Sequence, residues 1–100
     1  NFVKFNHVCK EYDISVSKNF MDNFSLLLGL YKKDKDILYI DLIFYIANNF
    51  LDHLKDNKTL NNDKINEIKN YIFNNLNNYL MYNINQNALI NAVNRKLNHG

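Results

Sequence analysis

The stretch ILYIDLIFYIA, residues 37–47, decides the fold. Nine of its eleven residues are large and apolar; the other two are Asp41 and Ala47. A helix that spans a membrane needs about 20 predominantly apolar residues. Here Asp36 stands before the stretch, Asn48 and Asn49 follow it, and Asp41 lies inside. It is too short and too polar at its ends to span. A buried strand suits the Ile and Tyr content. The apolar positions run on, however, as Ile43, Ile46/Ala47, Phe50/Leu51 and Leu54, which is helical spacing. Asp36 is placed to cap the start, and Lys55 sets a cation near the last carbonyls. The pattern predicts one helix over residues 37–55, apolar nearly all round in its first three turns. Such a helix belongs at the centre of a bundle.

The flanking sequence supplies partners. Phe2, Phe5, Val8/Cys9 and Tyr12 share one face, predicting a helix over 2–12. After an extended Ile14-Ser15-Val16, a second helix is expected to open at Ser17. Its apolar stripe is Phe20, Met21, Phe24, Leu27, Leu28 and Tyr31, and Lys32-Lys33 closes it. Gly29 either weakens that helix by about 1 kcal/mol relative to Ala or marks a close crossing. Residues 56–62 read as a polar loop. A fourth helix opens at Asn62 or Asp63, with Ile65, Ile68, Ile72, Leu76 and Tyr79 at spacings of 3, 4, 4 and 3. That is a coiled-coil-like seam. Asn66, Asn70, Asn74, Asn77 and Asn78 fall away from it. Asn83 to Asn87 breaks the pattern, Asn85 is the expected cap, and a fifth helix carries Leu89/Ile90, Val93 and Leu97. The expected fold is therefore all-α: a compact bundle of about five helices around a central apolar helix, residues 37–55. Residues 1–100 form a single helical domain in this reading. Because the sequence starts at Asn1 and not Met, it reads as a fragment of a longer protein.

Composition agrees. There is no proline, and Gly29 and Gly100 are the two glycines, so few residues interrupt a helix. Asparagine supplies 21 of the 100 residues, with Ile, Lys, Tyr and Phe also abundant. These are the residues of AT-rich codons, and the vocabulary resembles that of malaria-parasite proteins and, less closely, poxviral ones. Asn is a poor helix former, because its side chain competes for backbone hydrogen bonds. The fourth helix should depend on packing for its stability.

Several chemistries are disfavoured. A net charge of +2 and a lone arginine, Arg95, do not suit nucleic acid, and Lys64, Lys69, Arg95 and Lys96 are scattered. Cys9 is alone, so no internal disulfide forms. It reads as a small buried hydrophobe on the first helix, and His7, two residues away, points elsewhere on that helix. Asp34 and Asp36 suggest a calcium loop, but Leu38 and Tyr45 stand where further ligands belong and Tyr39 where glycine belongs. His7, His53 and His99 have no metal-ligand spacing with one another or with Cys9. No P-loop, HExxH or GxSxG is present. No cofactor, metal or catalytic residue is expected. Sequons stand at Asn23 and Asn57, but this much asparagine generates such triplets by chance, so neither argues for secretion.

A central apolar helix wrapped by amphipathic ones is similar in outline to death-fold and Bcl-2-like domains. The chain has no tryptophan and no Asn-Trp-Gly-Arg groove motif, so no groove residues carry over. The leading expectation is a non-enzymatic protein–protein interaction or assembly domain, working through a helix face toward another protein or itself. Tyr71, Phe73, Tyr79 and Met81 are its candidate anchors. The alternatives are a bundle that takes a lipid between its helices and a Bcl-2-like regulator of host signalling.

Overall fold

Short Asn and Asp side chains open the helices. In the computed structural model, which describes residues 2–14, 19–57 and 60–99 (backbone alone at 2 and 99), there are five. They are α1 (Phe2–Glu11), α2 (Phe20–Asp34), α3 (Ile37–Asp56), α4 (Asn62–Tyr82) and α5 (Gln86–His99). No strand occurs among the described residues. The fold is the all-α bundle that the periodicity predicts. The expected second-helix start at Ser17, and the extended Ser15-Val16, lie outside the described residues. There α2 is described from Phe20, with Asn19 as its cap.

Four helices start on a side-chain oxygen that accepts from an otherwise orphaned backbone N–H. Asn19 Oδ1 accepts from Met21 at 2.8 Å, and Asp36 Oδ1 from Leu38 at 2.9 Å. Asn61 Oδ1 accepts from Lys64 at 2.8 Å, and Asn85 Oδ1 from Ala88 at 3.1 Å. Such caps each contribute about 1 kcal/mol. Three helices end on a left-handed residue that is not glycine: Asp13 (φ 56°), Lys35 (φ 58°) and Asn83 (φ 53°). After α1 the Ile14 N–H donates to the Cys9 carbonyl at 2.8 Å, closing a Schellman-type turn and burying Ile14. The N–H groups of Lys35 and Asn83 donate to Tyr31 and Tyr79 at 2.7 and 3.0 Å.

The chain divides into two units, Asn1–Ile46 and Ala47–Gly100, with the division falling inside α3. In the first, the buried apolar residues are Val8 and Ile14, then Phe20, Phe24, Leu27 and Leu28 of α2, then Ile40, Leu42, Ile43 and Ile46 of α3. The rings of Phe20 and Phe24 stack at 5.7 Å, and Phe5 meets Tyr45 at 5.8 Å. In the second, Ala47 and Leu51 of α3 are buried, with Leu89 and Val93 of α5. The α4 seam is buried as its spacing predicts, at Ile65, Ile68, Ile72, Leu76 and Tyr79. The asparagines at 66, 70, 74, 77 and 78 are exposed.

One stripe of α3 is open to water: Ile37 and Tyr45 are 54% and 44% exposed there, beside the exposed Asp41 and Asp52. An unpaired carboxylate is costly to bury, so Asp41 and Asp52 turn this face to water and carry their neighbours with them. Among the described residues no helix is long and apolar enough to cross a membrane.

Candidate interaction surface

α5 returns along α4 after a connection of three residues, Asn83 to Asn85. The resulting hairpin has two unlike ends. Its open end is charged. Lys64 Nζ lies 2.9 Å from Glu67 Oε2, one turn along α4, and Lys96 Nζ of α5 reaches the same oxygen at 3.4 Å. Lys96 also stands over the Tyr71 ring, 5.3 Å from its centroid. Hydrogen bonds from Lys64 and then Lys96 hold the Glu67 carboxyl below its ordinary range. Asn61, Asp63, Lys64 and Glu67 line a shallow open depression beside the start of α4.

The turn end is different. From Asn70 to Asn94 the sequence contains no Asp, Glu, Lys, Arg or His. Within this uncharged span the last turn of α4 exposes Met81 at 71% and Tyr82 at 68%, and the connection exposes Ile84 at 41%. Left-handed Asn83 reverses the chain between them. Exposed Asn77, Asn78, Asn85 and Asn87 surround the three in sequence. The turn therefore exposes a flexible Met, a branched Ile and an aromatic, in a stretch whose exposed asparagine amides both donate and accept.

The four expected anchors do not share one setting. Met81 is fully at the surface of this tip. Tyr71 is half-buried and covered by Lys96, and Phe73 is half-buried. Tyr79 is 8% exposed and belongs to the buried seam of α4. Sequence reasoning missed Tyr82 and Ile84. Tyr82 follows Tyr79 by three and reads as a continuation of the seam, yet α4 ends there and the ring stays exposed. The available signal was the long uncharged span, which singles out this hairpin tip.

Elsewhere the polar groups serve local structure. Asp34 accepts from the Tyr39 hydroxyl at 3.1 Å and Asp36 caps α3. Partial burial, with that bond to Asp34, raises the Tyr39 hydroxyl above its ordinary pKa. His7 pairs with Glu11 at 3.7 Å, not with Cys9. Cys9 is half-buried, not fully enclosed as expected, because it flanks the buried Val8 on α1. Burial pushes its thiol up. His53 Nε2 lies 3.0 Å from Asn57 Nδ2. Asn23, the first sequon asparagine, is buried within α2. Among the described residues no group of three His, Cys, Asp or Glu could hold a metal ion. Comparison of the chain with protein-family models, with curated proteins and with solved structures gives no match.

Proposed function

We propose that the chain is a non-catalytic interaction module that docks protein partners through the tip of the α4–α5 hairpin. The observation that carries this is the exposure of Met81, Tyr82 and Ile84 together inside a charge-free span. Fully buried interface centres are depleted of charge and enriched in Tyr and Met. Large exposed apolar side chains grouped at one place are otherwise disfavoured on a solvated surface. Two of the three, Met81 and Tyr82, stand on the last turn of α4, so their backbone is ordered before a partner arrives.

The other exposed apolar residues support the same choice by contrast. Val3 adjoins Lys4, and Leu26 lies one turn from Asp22. Ile37 and Tyr45 flank Asp41 on α3. A partner covering any of these would have to desolvate a charge as well. At the tip it would not.

A photoreactive phenylalanine at position 82, in the full chain, tests the reading. The same group at 66, an exposed position on α4, is the control. Irradiation in an extract of the source cells and in purified solution should give a polypeptide adduct from 82 and none from 66. Equal labelling from both positions, or none from 82, would overturn the proposal.

A further inference from the structure

We infer that α1 is a reversible strap, which lifts from α3 as one piece while the rest of the chain stays folded. The motion is independent of the α4–α5 turn. Within the first unit, Phe5 meets Tyr45 at 5.8 Å. Tyr12 lies near enough to Tyr39 to add to the upward push on that hydroxyl, after burial and Asp34. Residue 5 beside 45 and residue 12 beside 39 set α1 antiparallel to the first half of α3. The seat is thin. Among its described side chains α1 buries Val8 alone, and Phe5 and Cys9 are half-buried. By contrast α2 buries Phe20, Asn23, Phe24, Leu27 and Leu28. Little apolar surface therefore opposes the entropy that α1 regains when it lifts.

The helix is also poorly built to stand by itself. Its 10 residues fall short of the about 12–15 that an isolated helix needs in water. Its end charges oppose the helix dipole: the first turn holds no acid but does hold Lys4, and Glu11 is the last residue. Its ion pair, His7 with Glu11 at 3.7 Å, joins two exposed residues of its own and ties nothing to α3. Its C-terminal end, however, is well closed. The N–H groups of Tyr12 and Ile14 donate to the Val8 and Cys9 carbonyls at 3.0 and 2.8 Å. A helix that cannot persist off its seat, and whose end is tied, forms and leaves in one cooperative step. Lifted, it uncovers Val8 and the hidden parts of the Phe5 and Tyr45 rings, an apolar face that the closed form lacks.

The experiment is amide hydrogen exchange of the full chain, followed residue by residue by NMR, without urea and with urea below the unfolding transition. The amides of residues 6–12 and 14 should share one protection factor, at least about 100-fold below that of the slowest α3 amides. Their rates should hardly respond to urea, because lifting α1 exposes little surface, whereas the slowest α3 rates should climb steeply. Tyr45→Ala removes the ring that Phe5 meets and should speed the α1 amides about two- to tenfold. Lys4→Glu reverses the adverse charge in the first turn and should slow them about two- to fivefold, which a folding defect could not produce. Protection and urea slopes equal to those of α3 would mean that α1 leaves only when the whole chain unfolds, and would overturn the strap. So would protection that declines steadily along the helix, which is fraying, or amides that exchange as fast as in an unfolded peptide. Tyr45→Ala without effect on the α1 amides, or Lys4→Glu failing to slow them, would overturn it as well.

Discussion

Gly29 shows how much a single residue leaves undecided until the backbone is in place. Its position in α2 allowed either a weak point or a close crossing. A Cβ built there meets no heavy atom within 4 Å, and its φ is not positive. The residue only adds freedom to the unfolded chain. Gly29→Ala should therefore stabilise the protein by about 0.5–1 kcal/mol. The urea midpoint should rise with an unchanged slope; a lower midpoint would mean that the site is crowded after all. Capping was legible at this scale, because a cap involves a few consecutive residues. Asp36 and Asn85 do what their places in the sequence imply. Exposure was less legible. Tyr79 and Tyr82 are the same residue type three positions apart, yet one is buried and the other 68% exposed. What separates them is where α4 ends, and a left-handed asparagine, not a glycine, makes that end.

Among elements, the α4–α5 pair carries its charges and its apolar surface at opposite ends. The Lys64–Glu67 contact could be read from a spacing of three, whereas Lys96 arrives from 29 residues away through the chain reversal. This cluster makes α4–α5 docking pH-dependent in a defined direction. Glu67 titrates lower in the folded protein than its ordinary 4.5. Its contribution is therefore fully present above about pH 4.5 and is lost as pH falls through the lower folded value. Denaturation midpoints should separate the native chain from Glu67→Gln above that pH and converge below it. A gap that persists in acid would mean that Glu67 acts through packing, not charge. The effect should be small and should shrink with added salt, since the carboxylate is exposed.

For the whole molecule, helix number and type were legible because 3.6-residue periodicity survives even where a fifth of the residues are asparagine. In α4 the seam from Ile65 to Tyr79 outweighs the poor helix propensity of the asparagines between, since burial of the seam supplies the stability. The open stripe of α3 was less legible. Hydrophobic content does not say which neighbours exist, and Asp41 and Asp52 set an open face that Tyr and Ile join. The exposed residues of the α4–α5 turn were legible only in part, at Met81, because exposure depends on what the fold leaves uncovered. The division of the chain between Ile46 and Ala47 has a consequence for how it comes apart. That boundary falls in the middle of an uninterrupted 20-residue helix, whose backbone bonds cross it. Neither unit can release its share of α3 without breaking bonds that also order the other's share. Amide hydrogens around residues 43–51 should then be the slowest of the molecule to exchange, opening only when the entire chain unfolds, and both units should melt in one step. Two separated transitions, or fast exchange at the centre of α3, would show that the helix parts at the boundary and that each half unfolds on its own.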